Sequence, residues 1–145
     1  MESLHYLVMK THAHLYRKIL GQAAELGFSP GQPKILEFLQ KYGRNNQKAI
    51  ADYCEIEPAT VGSILTRMEK SGLILREQLD GNRRSLYVSL TQEGREAAEK
   101  VEGIFREADA QAVSLLTQEE QECLQTLLKK VCSAMEQEEK ETTHD

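Results

Sequence analysis

The sequence predicts a mainly α-helical chain, six helices with one small β-hairpin between the fourth and the fifth. Three observations carry that expectation. Apolar residues recur at helical spacing in six stretches. Capping signals and glycines separate those stretches. Residues 73–90 break the helical period, with the turn chemistry Asp80-Gly81-Asn82 at their middle.

The first helix is expected over about 4–26, where Leu4, Leu7, Val8, Leu15, Ile19, Leu20, Ala23 and Leu26 form the stripe and Gly27 is the stop. His5, His12 and His14 lie on it, with no acid or thiol at ligand spacing nearby. They read as polar groups at an interface or a pocket wall. Ser29-Pro30-Gly31-Gln32 predicts the next start, with serine as cap, proline in the first turn and Gln32 completing a capping box. That helix buries Ile35, Leu36, Phe38 and Leu39 and ends near Tyr42-Gly43.

Asn45 or Asn46 caps a short third helix, Gln47 to Tyr53, with Ile50 and Ala51 inward and a turn at Cys54-Glu55-Ile56. The fourth helix starts at Pro58, with Glu57 in the cap position, and stops at Ser71-Gly72. Val61, Ile64, Leu65 and Met68 face its core, while Ala59, Thr60, Gly62, Ser63, Thr66 and Arg67 lie at or beside the opposite face. That outer face is small and polar, with no acid before Glu69, whereas a solvated helix more often displays Glu and Lys. Small side chains permit close approach to base edges and phosphates in a major groove. Gly62 costs roughly 1 kcal/mol of helix propensity relative to alanine; close backbone approach to a ligand or packing against a neighbour would each account for it.

Residues 73–79 and 86–90 are the two strands, the second alternating Leu86, Val88 and Leu90 with Tyr87 and Ser89. The tip between them carries Arg83 and Arg84. An arginine there suits the negative potential of a narrow minor groove; an isolated charged hairpin would be read as solvated. Thr91-Gln92-Glu93 opens the fifth helix, with Ala97, Ala98, Val101, Ile104, Phe105, Ala108, Ala112 and Leu115 as its stripe. Thr117 to Glu120 is a second capping box, and the sixth helix is expected to bury Leu124, Leu127, Leu128, Val131 and Met135. After Glu136 the polar end is expected to fray. Long terminal helices with apolar stripes want a partner, and a two-fold dimer supplies one.

The totals fit a globular protein. Across 145 residues, 40% are hydrophobic and 28% charged. No run approaches a membrane span, and MESLHYLVMK lacks the basic start and cleavage site of a secretion signal. A cytoplasmic protein without membrane contact is therefore expected. Cys54, Cys123 and Cys132 are odd in number and widely spaced, which argues against a disulfide framework. Cys123 and Cys132 stand about two and a half helical turns apart and cannot bond within one chain, whereas a bridge across a dimer axis remains open. The net charge is −5, yet residues 1–90 hold 12 Lys and Arg against 9 Asp and Glu, and residues 91–145 hold 6 against 14. The acid is concentrated in the C-terminal part, and a local basic face suffices for DNA.

The order NQKAIADYCEIEPATVGSILTRMEKSGLI, then DGNRRSLYVSLTQEG, within six helices, resembles the MarR (multiple antibiotic resistance regulator) family of bacterial transcription factors over nearly the whole chain. The resemblance implies a six-helix winged helix-turn-helix. Residues 29–91 would form the DNA-binding lobe, 1–28 and 92–138 a helical dimerisation region, and 139–145 a frayed tail. It implies a cytoplasmic, nucleoid-associated homodimer that binds a pseudo-palindromic operator in double-stranded DNA and acts as a repressor. By position, Gln47, Lys48, Ala59, Thr60, Gly62, Ser63, Thr66, Arg67, Arg83 and Arg84 would meet DNA, Arg84 entering the minor groove. Asn82 stands where the family's wing usually has aspartate, and Glu55 replaces a common turn glycine. Many members answer a small aromatic effector held between the two regions; His5, Tyr6, His12, Tyr16 and Phe38 could line such a site, or complete the dimer interface. Relatives that sense organic hydroperoxides use a cysteine near the start of the first helix, and none precedes Cys54 here. No metal site, cofactor or catalytic constellation is visible. The competing expectation is a winged helix used for protein contact, with the acidic helices as its surface.

Overall fold

In the computed structural model, residues 1–79 and 86–143 are described. The order is α1 (Leu4–Glu25), α2 (Gln32–Tyr42), β1 (Asn45–Asn46), α3 (Gln47–Cys54), α4 (Pro58–Lys70), β2 (Ile74–Gln78), β3 (Leu86–Leu90), α5 (Gln92–Ala112) and α6 (Gln118–Thr143). This is the mainly helical chain with a small sheet that the pattern predicts. Residues Met1–Ala108 and Asp109–Asp145 form two compact units.

In the first unit, Ile35, Leu36, Ile50, Val61, Leu65, Met68, Ile74, Val88 and Val101 are almost fully buried. They come from α2, α3, α4, the hairpin and α5. Burying each such side chain contributes about 1.5–3 kcal/mol. All four apolar positions expected to face inward from α4 do so. A second cluster joins Ile19 and Ala23 of α1 to Ile104 and Ala108 of α5, and Phe28 packs against both clusters.

Helix starts differ in detail from the expectation. Ser29 does not cap α2. Gly31 occupies that place, and the helix begins two residues beyond the expected proline, with Pro33 in its first turn. One half of the expected box survives, because the Ser29 amide donates to Gln32 Oε1 at 3.2 Å. Asn46, not Asn45, caps α3, its Oδ1 accepting from the Ala49 amide at 2.8 Å. Glu57 precedes α4 without a side-chain capping bond. The Thr117–Glu120 box is complete, with both reciprocal bonds present.

The sheet has three strands, in the order β1-β3-β2, all antiparallel. The two-residue β1 was not expected. Asparagine is a poor strand former, and the pairing of Asn45 with Val88 and of Asn46 with Tyr87 exists only because the chain returns there. At the other end of the hairpin, Thr91 Oγ1 donates to the Gly72 carbonyl at 2.6 Å and accepts from the Gly94 amide at 3.0 Å. Gly94 is buried, and a Cβ on it would collide with the Leu73 carbonyl.

The second unit corrects two expectations. α6 continues to Thr143 rather than fraying after Glu136. Its apolar stripe is not buried: Leu124, Leu127, Leu128, Val131 and Met135 are 39–56% exposed. Helical spacing shows that these residues share a face, and among the described residues that face stays about half exposed. Ala112 and Leu115 are exposed as well, as are Leu4, Leu7 and Val8 near the start of α1.

Candidate nucleic-acid interface

α3, a three-residue turn and α4 form the helix-turn-helix. The turn closes through the Ile56 amide, which donates to the Ala51 carbonyl at 3.1 Å. Ala51 is buried, as a steep crossing at so short a turn demands. Glu55 takes the left-handed conformation, φ 55° and ψ 47°, and is the one non-glycine residue with positive φ among those described. For an L-residue that conformation costs roughly 1–2 kcal/mol.

The outer face of α4 is as small as the sequence suggests. Ala59, Thr60, Ser63 and Arg67 are exposed, and Gly62 and Thr66 are half-buried. A Cβ at Gly62 would meet nothing within 4 Å, so packing within the chain does not require the glycine. Two hydroxyls are turned back onto the helix. Ser63 Oγ donates to the Ala59 carbonyl at 3.3 Å, and Thr66 Oγ1 donates to the Gly62 carbonyl at 2.9 Å. Lys48 is exposed on α3. Asp80, Asn82, Arg83 and Arg84, on which the wing-tip expectation rests, lie outside the described residues.

Sequence reasoning missed Arg76 of β2. Its guanidinium donates to Gln47 Oε1 at 3.4 Å, Thr66 Oγ1 at 3.0 Å and Glu69 Oε1 at 3.1 Å. Gln47 and Thr66, both expected at DNA, are thereby engaged inside the protein. Strand alternation carried the signal. Arg76 pairs with Val88 across the ladder and shares the buried face with Ile74. A cation on an apolar face must find acceptors.

The expected pocket residues separate. Tyr16 lines a cavity of about 120 Å³ together with Ile19, Leu20, Pro30, Pro33, Lys34 and Phe105. Lys34 Nζ stands over the Tyr16 ring, 4.8 Å from its centroid, and the His12 ring lies tilted against the same ring, 4.3 Å between centroids. Lys34 and Phe105 were not anticipated as lining residues; their elements meet α1 only in the folded chain. His5 and Tyr6 are exposed on the first turns of α1. Phe38 is not at this cavity. It is buried in an aromatic cluster, 5.3 Å from Tyr42 and 4.8 Å from Tyr53. The hydrogen bond with Tyr42 pushes the Tyr53 phenol up.

Of the thiols, Cys54 packs inward, and burial pushes it up to about 11. Cys123 and Cys132 are exposed and free. Nine steps of about 100° place them on opposite sides of α6, flanking its apolar stripe. Among the described residues no three His, Cys, Asp or Glu side chains gather as metal ligands. No described helix is long and apolar enough to cross a membrane.

Residues 28–86 match the model of the MarR family. An HTH-type transcriptional regulator of Bacillus subtilis, YkoM, is 33% identical over 106 residues, covering 73% of this chain and 69% of its own. The HTH-type transcriptional repressor MdtR of the same organism is 31% identical, covering 88% and 84%. The crystal structure of the Mycobacterium tuberculosis MarR family protein Rv2887 with salicylic acid is 25% identical, covers 90% of this chain and 97% of its own, and superposes with a TM-score of 0.71.

Proposed function

This chain belongs to the MarR family of HTH-type transcriptional regulators, and from that premise we propose how its parts act. Two copies bind an inverted repeat in double-stranded DNA and repress transcription there, in the bacterial cytoplasm. The observation that carries this reading is the exposed face of α4, small, polar and free of acid from Ala59 to Arg67. It enters the major groove, with Thr60 and Ser63 nearest the bases. Lys48 and Arg67 meet phosphates, and Arg84 reaches the flanking minor groove. The exposed stripes of α1 and α6 supply the dimer surface, which sets half-sites about one DNA turn apart.

The cavity beside Tyr16 takes a small aromatic carboxylate. Tyr16 and Phe105 offer ring faces, and the Lys34 ammonium is an anchor for the acid group. Rv2887, solved with salicylic acid, supports that ligand class.

The test is binding of the purified protein to its own promoter region across a salt series. Affinity should fall steeply as salt rises. Arg84→Ala should weaken binding on all sequences alike, whereas Thr60→Ala or Ser63→Ala should change sequence preference. A salt-independent result, or no binding at low salt, would overturn the reading. Capture of a protein partner with Arg83 and Arg84 dispensable would point instead to a protein-contact module.

A further inference from the structure

We infer that Arg76 is a positioning residue that sets the wing hairpin against both helices of the helix-turn-helix, so that α4 and the wing engage DNA together. The inference rests on the DNA-binding reading above. Arg76 sits in the middle of β2, on the hairpin face that carries Ile74 and Val88. Its side chain is only 17% exposed. Its acceptors come from two different elements: Gln47 is the first residue of α3, and Thr66 and Glu69 lie on successive turns of α4. A guanidinium is a rigid planar fork, so several acceptors on it constrain distance and tilt at once.

The contact to Thr66 extends onto the reading helix. The Thr66 hydroxyl donates to the Gly62 carbonyl and accepts from Arg76. Strand, side chain and helix backbone are thus joined in one chain of bonds at the half-buried edge of the DNA-facing surface. The contact to Glu69 adds an electrostatic effect. Glu69 is the one acid within α4. Its carboxylate, 3.1 Å from Arg76 Nη2, is neutralised there instead of opposing phosphates. With three protein acceptors and little exposure, Arg76 holds the interface and does not itself touch DNA.

The experiment compares wild type, Arg76→Lys and Thr66→Val by binding to the protein's own promoter fragment, hydroxyl-radical footprinting and thermal melting. Lysine keeps the charge but replaces the fork with a single ammonium. Arg76→Lys should melt within about 4 °C of wild type yet bind about tenfold more weakly. Its footprint should lose the outer, wing-contacted flanks of each half-site while the central major-groove protection persists. Thr66→Val, which alters the same link from the helix side, should show the same flank loss to a smaller extent. An Arg76→Lys footprint of unchanged pattern, whether at full or uniformly weakened strength, would overturn the inference alone. A wild-type protein that protects no part of the fragment would overturn the DNA-binding reading and this inference with it.

Discussion

At the scale of single residues, two positions in the helix-turn-helix link stability to the proposed DNA contact. Gly62 has open space around it and no packing reason to lack a side chain. Gly62→Ala should therefore stabilise the fold by about 1 kcal/mol, seen as a higher melting temperature, while weakening DNA binding. Glu55 presents the converse case, a charged residue held at φ 55°. Glu55→Gly should relieve roughly 1 kcal/mol of backbone strain and remove a negative charge from a turn that the proposed binding mode places near DNA, so melting temperature and affinity should rise together. Cys54 predicts a pH dependence. Its thiol lies at about 11 in the folded chain against 9.0 ordinarily. A raised folded value means that the unfolded chain loses its proton first. Stability is full below about pH 9 and falls as the pH climbs toward 11. Denaturation across that window should show the loss, and Cys54→Ala should lack it.

Elements are where the hairpin becomes part of the domain. Thr91 and Gly94 fasten the start of α5 to the Gly72-Leu73 end of α4's exit. Gly94→Ala would force a methyl group against the Leu73 carbonyl. It should cost about 2 kcal/mol, a drop of several degrees in melting temperature, and a mobile wing base should lower DNA affinity as well. α6 has the opposite character, an apolar stripe whose residues are 39–56% exposed. Leu127, at 52% exposure, lies within that stripe. Leu127→Glu should shift the protein from dimer to monomer in sedimentation while leaving its helical content intact. Half-sites would then be bound independently, with the loss of avidity that follows.

Considered as a whole molecule, the chain is acidic overall, yet its proposed reading surface carries no acid. Residues 91–145 hold 14 acidic residues against 6 basic ones. In the proposed DNA complex that imbalance would keep the C-terminal helices off the phosphate backbone and leave DNA to the N-terminal part. Regulation is expected at the cavity between α1, α2 and α5. Salicylate should raise the melting temperature by binding the folded state, and Lys34→Ala should abolish that shift. If occupancy also lowers affinity for the promoter fragment, the cavity and α4 are coupled in the direction a released repressor requires.

The chain's periodicity determined the six helices, the hairpin after α4 and the identity of the inward residues Val61, Ile64, Leu65 and Met68. Those features depend on neighbours two to four positions apart, and local spacing records them directly. Tertiary structure alone decided the rest. β1 is two asparagines that pair only because β3 lies beside them. Arg76 finds Gln47, which stands 29 positions earlier in the chain. Phe38 joins Tyr42 and Tyr53 rather than Tyr16, and Lys34 reaches the Tyr16 ring instead. The stripe of α6 was legible as apolar, but local spacing does not record how far it is covered, and its residues are 39–56% exposed in the folded chain. Pattern specifies which face of an element is apolar; which element meets that face depends on long-range packing.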